Sequence, residues 1–331
     1  MSASTAALPP DGVFSCGPLE VHLHAIAGLR EKIAETLHLY DLRWPGPFTP
    51  VEIVAERSNA PVVPAQASFL LCARMAVDAV PGGLYATTAS RAAARYRAAQ
   101  NSWHVTVPDV LLDTGKLEEI EDILSLVLTT GWRKLGFTPV HGAAVVKNDR
   151  CAILCAATGG GKSTLTAALV RRGWRTLGDD KLLLRVNGGV PEVNALLHTF
   201  NLHPRTRTWF PEVGNLERLP RYSVWTEKRK VKAADIWPSI GALCARPTAL
   251  VLLNRVAGAH GISASPLDRA TLLDTLLRQT VIPNEPAVAR TIVGTITRTA
   301  LQLRGIKLDI GDDAYGDPAC VDGVEDVLAA R

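Results

Sequence analysis

The stretch CAATGGGKSTLTAALVRRG, residues 155–173, places three glycines, a lysine and two hydroxyls between an apolar run and an amphipathic one. The apolar run CAILCAA predicts a buried strand, and Leu165, Leu169 and Val170 fall on one side of the helix predicted after the loop. Gly173 stands where the end of a helix favours glycine. The sequence therefore predicts a strand, a glycine-rich loop and a helix in direct succession.

The loop has the composition of a phosphate-binding site. Such a site needs successive backbone N–H groups around one concavity, which glycines permit, and the positive end of the following helix adds to it. Lys162 is expected to reach the terminal phosphates of a nucleotide, and Ser163 to ligate magnesium. The strict G-x-x-x-x-G-K-[ST] spacing asks for glycine where this chain has Ala156. The predicted nucleotide-binding residues are Thr158, Gly159, Gly160, Gly161, Lys162, Ser163 and Thr164.

Two aspartates, Asp179 and Asp180, end the next predicted strand, WRTLGDD. Phosphoryl transfer needs a carboxylate for the metal and a group that takes the proton of the acceptor hydroxyl. Adjacent carboxylates at a strand end point in different directions, so one can serve magnesium while the other faces the acceptor. An exposed acidic turn and a plain glycine turn are the alternatives, but strand, loop, helix and acidic pair in this order favour a site.

His141 lies in the first strand of the predicted hairpin FTPVHGAAVVKNDRCAILCAA, whose second strand leads into the loop. A neutral imidazole beside Asp179 could position that base or adjust its pKa. Taken alone, a histidine at such a place is more often a core residue with its hydrogen bonds satisfied than a catalytic one. The candidate catalytic residues are thus Asp179, His141 and Lys162, and the candidate metal ligands are Ser163 and Asp180.

Length and patterning predict two domains. The chain has 331 residues, 47% of them hydrophobic, which is enough for a sizeable core. Residues 1–14 are typical of a disordered tail, and short apolar runs between turns predict a small α/β accessory domain for substrate recognition over residues 15–115. A catalytic domain is predicted over residues 116–331, beginning with an amphipathic bridging helix and containing helices over residues 267–281 and 286–303.

Charge, cysteine content and hydropathy restrict the classes of protein to which the chain can belong. The net charge of +4 is mild for this length and does not by itself indicate a nucleic-acid binder. The 6 cysteines are too scattered for a disulfide framework and include no C-x-x-C pair. No apolar stretch has the roughly 18 residues of a membrane span, and no targeting segment is evident. These observations predict a cytoplasmic protein without a membrane partner.

The stretch between residues 203 and 232 is rich in arginine and lysine. Most of these charges are typical of a solvated loop, but Arg205 and Lys228 are candidate contacts to phosphate or to an acceptor carboxylate. Nucleic-acid binding is a competing interpretation, because aromatic residues that can stack on bases lie in the same stretch. They are Trp209, Phe210, Tyr222 and Trp225. Interleaved prolines and glutamates interrupt a continuous basic groove and disfavour that interpretation.

From HGAAVV to GGGKSTLTAALVRRGWRTLGDD, residues 141–180 resemble the catalytic domain of the HPr kinase/phosphorylase family and its shorter relatives. A His-Gly pair, a G-K-S loop, a helix ending in R-R-G and an Asp-Asp pair occur in this order in that family. The resemblance implies an α/β fold with a mixed sheet like that of phosphoenolpyruvate carboxykinase, rather than a doubly wound parallel sheet. It implies that Lys162 and Ser163 bind nucleotide phosphates and metal. It further implies that Asp179 is the base toward a serine hydroxyl, that Asp180 assists the metal and that His141 supports Asp179.

The shorter relatives include kinases for a serine on ribosomally made peptides, notably lasso-peptide precursors, and kinases for free serine. The expected function is therefore an ATP- and Mg²⁺-dependent kinase that transfers the terminal phosphoryl group to a serine-type hydroxyl on a peptide precursor or small protein. A kinase for a small molecule such as free serine and a nucleotide-binding regulator without transfer are the alternatives. The segment VIPNEPAVAR lacks the arginine-glycine loop of the HPr enzymes and argues against HPr as the substrate. Homo-oligomerisation is left open.

Overall fold

The computed structural model describes residues 12–330 except 41–43, 67, 68, 73, 114–117, 197, 198, 220, 222–225, 239 and 284. The chain divides into two compact units, Met1–Trp132 and Arg133–Arg331. Each unit contains mixed β-sheet and helices, so the prediction of a mixed α/β fold is confirmed. The likeness to phosphoenolpyruvate carboxykinase stays a prediction.

The first unit is built on one mixed sheet with the strand order β1-β2-β3-β8-β7-β6-β5-β4. The strands are β1 (Gly12–Cys16), β2 (Leu19–Ala25), β3 (Thr49–Arg57), β4 (Phe69–Cys72), β5 (Met75–Val80), β6 (Gly83–Thr88), β7 (Ala93–Arg97) and β8 (Ser102–Val107). Strands β2, β3 and β8 run parallel to one another, and the other pairs are antiparallel. The helices are α1 (Leu29–Leu37), α2 (Asp109–Asp113) and α3 (Glu118–Lys134), with a 3₁₀ turn at His38–Tyr40.

The structure differs from the expected end of the N-terminal tail and from the expected boundary between the two domains. Residues 12–14 belong to β1, where Val13 pairs with His22, so the expected tail over residues 1–14 does not extend this far, and residues 1–11 lie outside the described part. The units meet inside α3 rather than before it at residue 116. The reason is packing, because Trp132 is buried and its indole N–H donates a 3.0 Å hydrogen bond to the carbonyl oxygen of Cys16.

The second unit contains a larger mixed sheet, β12-β10-β11-β18-β20-β19, and the smaller sheets β17-β14-β13-β9 and β15-β16. The strands are β9 (Thr138–His141), β10 (Ala143–Lys147), β11 (Arg150–Ala156), β12 (Arg175–Gly178), β13 (Lys181–Asn187), β14 (Val190–Ala195), β15 (Thr199–Leu202), β16 (Arg229–Lys232), β17 (Cys244–Ala245), β18 (Ala249–Arg255), β19 (Ile262–Pro266) and β20 (Arg304–Ile310). The helices are α4 (Lys162–Arg171), α5 (Ala233–Ile236), α6 (Arg269–Arg278), α7 (Pro286–Gln302) and α8 (Pro318–Ala329). Short 3₁₀ turns cover Pro204–Thr208, Pro211–Val213 and Leu216–Arg218.

The core of the second unit fixes the strand and helix on either side of the glycine loop. Strand β11 pairs antiparallel with β10 on one side and parallel with β18 on the other, so β11 is an interior strand. Its continuous apolar sequence suits such a position, since both faces of an interior strand are covered. Leu165 and Leu169 of α4 pack in one buried cluster with Leu154 of β11 and Val251 of β18. Burial on both sides therefore holds the loop between two fixed elements.

The predicted hairpin is present, but its first strand is divided. Strands β10 and β11 pair antiparallel with Lys147 opposite Arg150, as expected. The residues before Gly142 form β9, which joins the smaller sheet and places His141 opposite Lys181. A side chain at position 142 would lie 3.3 Å from the carbonyl oxygen of Leu154, so glycine allows the chain to pass close to β11 as it changes sheets.

The other expected elements of this unit agree with the structure. Helices α6 and α7 lie within the predicted ranges 267–281 and 286–303, and β18 coincides with the expected core strand PTALVLLNRV. Gly173 follows α4 with a φ of 83°, the left-handed conformation expected after a helix C-terminus. Among the helices of the described residues, none combines the length and apolarity needed to cross a membrane.

Candidate functional site

The loop between β11 and α4 needs glycine at three successive positions, for different reasons. Gly159 and Gly161 have φ angles of 81° and 90°, in the left-handed region that favours glycine. Gly160 donates a 2.9 Å hydrogen bond to the carbonyl oxygen of Ala157, and a Cβ atom at this position would lie 2.9 Å from the Cβ of Ala156. The backbone is therefore folded tightly over the end of β11.

Helix α4 begins directly after this turn. Gly161 is its N-cap residue, and no side chain in the described part of the chain caps the helix. The first N–H groups of a helix lack intrahelical acceptors, and the helix dipole adds a partial positive charge at the same end. An anion is the natural partner for such an end. The predicted residues 158–164 are thus brought together in a form that can hold phosphate.

Tyr315 supports the loop from the opposite wall. Its hydroxyl donates a 3.4 Å hydrogen bond to the carbonyl oxygen of Gly161, the same oxygen that accepts the N–H of Leu165 at 2.8 Å. A Cβ atom at position 161 would overlap the Tyr315 hydroxyl oxygen. Burial raises the pKa of Tyr315, so the phenol stays protonated and remains a donor.

His141, Lys162 and Asp180 form one contact group beside the loop. The Nε2 atom of His141 lies 2.7 Å from Nζ of Lys162 and 3.3 Å from Oδ1 of Asp180. Burial within the cleft walls lowers the pKa of His141, the charge of Lys162 lowers it further, and Asp180 opposes both effects. The ring therefore stays neutral near pH 7 although 54% of its side chain is accessible. Burial also lowers the pKa of Lys162, and the two aspartates act against that shift.

Asp179 occupies a different environment from its neighbour. It is only 2% exposed, and its Oδ2 atom accepts a 3.1 Å hydrogen bond from the N–H of Asn201. Burial raises its pKa to about 6, while the Ser163 hydroxyl and the Asn201 N–H act in the opposite direction. The Ser163 hydroxyl is close enough to affect this pKa, yet Oδ1 of Asp179 is buried without a hydrogen-bond partner among the described residues.

The two aspartates therefore have different neighbours from those expected. His141 contacts Asp180, whereas the expectation placed it beside Asp179. Strand register explains the difference, because pairing of His141 with Lys181 puts residue 180 at the histidine and leaves residue 179 facing inward toward Ser163. The side chain of Asp180 is 22% exposed, and the structure orders the pair as one outer and one inner carboxylate.

A cleft of about 500 Å³ opens over the loop. Its described lining contains cations and no carboxylate, and both weak candidates from the basic stretch, Arg205 and Lys228, belong to it. Lys228 lies close enough to lower the pKa values of His141 and Lys162. The residues that line the cleft are His141, Ala156, Ala157, Thr158, Gly159, Gly160, Gly161, Lys162, Ser163, Thr164, Asn201, His203, Arg205, Thr206, Trp209, Lys228, Arg255 and Tyr315.

Several of these residues were not predicted as part of the site. Asn201, Tyr315 and Arg255 lie far from the loop in sequence and carry no motif that would single them out. The sequence indicates Trp209 only as a candidate stacking residue for nucleic acid. Of the other aromatics in that alternative, Phe210 is 1% exposed and packs in the core, which removes it from any stacking surface. Tyr222 and Trp225 lie outside the described residues.

Protein side chains alone form no metal cage among the described residues, since no group of three or more His, Cys, Asp and Glu is suitably placed. Magnesium needs few protein ligands, because it keeps several waters and binds substrate phosphates. The buried oxygen of Asp179 without a partner, next to the Ser163 hydroxyl, provides the oxygen chemistry that such an ion prefers. These two residues therefore fit a magnesium ion held jointly with a phosphate ligand.

Comparison with known proteins gives a loose structural likeness and no family. No protein-family model matches the chain, and no curated protein matches it. Among solved structures, the Hpr(Ser) kinase/phosphatase from Coxiella burnetii is similar with a TM-score of 0.32 and 8% sequence identity, over 58% of this chain and 97% of that one. A likeness this loose assigns no function.

Proposed function

We propose that this protein is an ATP- and Mg²⁺-dependent kinase that transfers the terminal phosphoryl group to a serine-type hydroxyl. The observation that carries the proposal is the position of His141, whose Nε2 contacts both the loop lysine Lys162 and the carboxylate of Asp180. The glycine loop and His141 line one cleft, and the carboxylate of Asp180 contacts His141. A phosphate-binding element, an acid–base group and a carboxylate are the groups that phosphoryl transfer requires.

The loop and Lys162 bind the nucleotide phosphates. Residues 158–164 line one cleft, and Lys162, Arg205 and Lys228 give this lining positive charge without a described carboxylate. A polyanion is attracted to such a surface, because positive groups in a cleft focus their field on it. Lys162 turns from His141 to the terminal phosphate when the nucleotide binds, since an ammonium pairs more strongly with a phosphate than with a neutral imidazole.

Ser163 and Asp179 are the residues that would hold magnesium. Their oxygens lie next to each other, and Oδ1 of Asp179 has no other partner in the described chain. A magnesium ion there supplies charge neutralisation at the terminal phosphates. This assignment exchanges the roles that the resemblance implies for the two aspartates, because Asp179 is too deeply buried to meet an acceptor hydroxyl.

His141 and Asp180 handle the proton of the acceptor. Nε2 of His141 cannot accept from Lys162 and donate to Asp180 at once, so departure of Lys162 to the phosphate lets Nε2–H donate to Asp180. Nδ1 makes no hydrogen bond to the described residues and then becomes the acceptor. In the transfer, the hydroxyl oxygen forms a bond to the γ-phosphorus, the bond from that phosphorus to the β–γ bridging oxygen breaks, and the hydroxyl proton passes to Nδ1.

The acceptor we propose is a serine in a ribosomal peptide precursor or small protein. Arg205 and Lys228 line the cleft, and neither forms an ion pair with a carboxylate of the described residues, so both are available to an anionic group near the accepting serine. Guanidinium and ammonium groups bind carboxylate and phosphate. Free serine offers the same chemistry in a smaller molecule, and a direct comparison of the two acceptors separates these substrates.

The test is incubation of the purified protein with Mg²⁺ and ATP labelled at the γ-position, together with serine and serine-containing peptides, followed by mass measurement. We expect one added phosphoryl group on a hydroxyl with the wild-type protein. His141→Gln should lose transfer while it retains ATP binding, and Lys162→Met should lose both. If the wild-type protein binds ATP and labels no hydroxyl acceptor, the protein is a nucleotide-binding regulator instead.

A second measurement assigns the two aspartates. Asp179→Asn should raise the Mg²⁺ concentration required for half-maximal activity by about tenfold or more, since it removes an anionic metal ligand. Asp180→Asn should lower kcat by about a hundredfold, within the range of a lost acid–base contribution, and leave the Mg²⁺ requirement near its original value. The reverse pattern restores the roles implied by the family resemblance.

A further inference from the structure

The cleft over the glycine loop continues to an aromatic wall that the roles above do not use. Trp209 and Tyr315 both line it, with ring centroids 5.5 Å apart and ring planes inclined by 59°. Phosphates on the loop and an acceptor at His141 leave Trp209 without a function. Its indole is only partly buried, in contrast to Trp132 and Trp174, which are buried as expected of tryptophans with a purely structural role.

The indole of Trp209 is held in place by its surroundings. The backbone that carries the ring is fixed at both ends, because the main-chain N–H of Trp209 donates a 3.0 Å hydrogen bond to the carbonyl oxygen of Thr206 and its main-chain carbonyl oxygen accepts one of 3.1 Å from Arg171. Arg171 is itself fixed by a 2.8 Å ion pair with Glu212. A Cβ atom at Gly316 would lie 3.1 Å from Cδ1 of the indole, so glycine at that position allows the ring to lie close to the chain. A ring fixed in this way loses little entropy when a ligand binds to it.

The position of Trp209 relative to the loop suits a nucleotide. Tyr315 contacts the carbonyl oxygen of Gly161 through its hydroxyl and Trp209 through its ring, so a single aromatic ring separates the indole from the loop. In a nucleoside triphosphate, the ribose and the α-phosphate separate the base from the phosphates that such a loop binds. A ligand anchored on the loop can therefore bring its base to the indole.

We propose that Trp209 is the stacking platform for the base of the bound nucleotide and that this platform favours a purine. Aromatic side chains bind bases by stacking, and a two-ring purine overlaps more of an indole than a one-ring pyrimidine does. The inference rests on the proposed function in one respect, because the phosphates must lie on the glycine loop for the base to reach Trp209.

The experiment measures the dissociation constants of ATP, CTP and inorganic tripolyphosphate, each with Mg²⁺, by calorimetry on the full-length protein. Trp209→Leu removes the stacking surface but keeps apolar bulk, and Trp209→Phe retains a ring. Trp237→Leu is the matched control, because Trp237 packs against the same buried cluster as Trp209 and does not line the cleft. The melting temperature of each variant shows whether it is folded.

We expect Trp209→Leu to weaken ATP binding about tenfold and to leave tripolyphosphate binding unchanged. Trp209→Phe should lose less of its affinity for ATP, and Trp237→Leu should bind ATP and tripolyphosphate as tightly as the wild-type protein does. The wild-type preference for ATP over CTP should shrink in Trp209→Leu. Equal weakening of ATP and tripolyphosphate, or no change for either, overturns the stacking proposal while leaving the kinase proposal intact.

A different result would show that the proposed function itself is wrong. If the wild-type protein binds neither ATP nor tripolyphosphate, the loop is not a phosphate site, and the stacking proposal is overturned with it. If Trp209→Leu is unfolded, Trp209→Phe decides the question through the ATP-to-CTP preference, because a phenyl ring stacks less of a purine than an indole does. An unchanged preference in that variant also overturns the proposal.

Discussion

Gly161 and Tyr315 are separated by 154 positions in the chain and are in direct contact in the structure, where the phenol donates a 3.4 Å hydrogen bond to the glycine carbonyl oxygen. This contact ties the start of α4 to the residues just before α8. It also leaves no space for a side chain at position 161. The loop is therefore stabilised by a long-range contact as well as by its own glycines.

A comparison of two glycines tests this contact. Gly159→Ala meets no atom within 4 Å and should cost only the left-handed backbone conformation, about 1–2 kcal/mol of unfolding free energy. Gly161→Ala has the same kind of φ and also clashes with the Tyr315 hydroxyl, so we expect a larger loss in urea denaturation and weaker nucleotide binding. The double variant Gly161→Ala/Tyr315→Phe should recover part of that loss, because the clashing oxygen is gone. Equal losses for the two glycine variants would show that the tyrosine contact is unimportant.

The pKa of His141 should respond in opposite directions to its two charged neighbours. Lys162→Met removes a positive charge that lowers the pKa, so the pKa should rise. Asp180→Asn removes a negative charge that raises it, so the pKa should fall. Titration of the His141 ring resonances by NMR measures both changes. A shift of the pKa in the same direction in both variants would indicate a general change in the burial of the ring. It would contradict a direct contact of His141 with Lys162 and Asp180.

Asp179 should reduce the stability of the folded protein at neutral pH. Its folded pKa of about 6 lies above the ordinary value of 3.8 for an aspartate, so the folded state binds more protons between these values. The free energy of unfolding should therefore contain a favourable contribution below pH 4 that is lost as the pH rises through 6. Asp179→Asn should stabilise the protein at pH 7.5 by up to about 3 kcal/mol and by much less at pH 4.

Thermal and urea denaturation of Asp179→Asn and Asp180→Asn at both pH values measure this effect. Asp180 is the matched control, because it is adjacent in sequence and partly accessible. Its substitution should produce no comparable gain at pH 7.5. A destabilised Asp179→Asn at pH 7.5 would mean that the carboxylate is better compensated in the folded state than its burial indicates.

Two arginines on one 3₁₀ turn test the acceptor side of the cleft. Arg205 lines the cleft, whereas Arg207, on the same turn and also exposed, does not. We propose that Arg205 binds an anionic group near the accepting serine, so Arg205→Ala should raise the KM for a phosphorylatable peptide several-fold and change the dissociation constant of ATP much less. Arg207→Ala should leave both values near those of the wild-type protein. Steady-state kinetics with each variant measure these effects, and equal effects of the two substitutions would assign them to general surface charge.

Much of the second unit followed from local sequence patterns. The apolar run of β11, the glycines of the loop and the spacing of Leu165 and Leu169 predicted a strand, a turn and a helix, and the structure has all three in place. These features depend on neighbouring residues, since backbone angles and side-chain periodicity act over a few positions. The split of the predicted hairpin strand at Gly142 was missed, because its cause is a close approach to Leu154 in another strand.

The sequence by itself determined which residues are the candidates for the chemistry: the glycine loop with Lys162 and Ser163, the aspartate pair and His141. Only the tertiary structure decided how they are grouped. The pairing of β9 with β13 places His141 beside Asp180 and leaves Asp179 facing Ser163, and the packing of distant segments brings Trp209 and Tyr315 to the loop. The physical reason is that strand register and core packing join residues far apart in the chain, whereas a sequence pattern reports only the preferences of near neighbours.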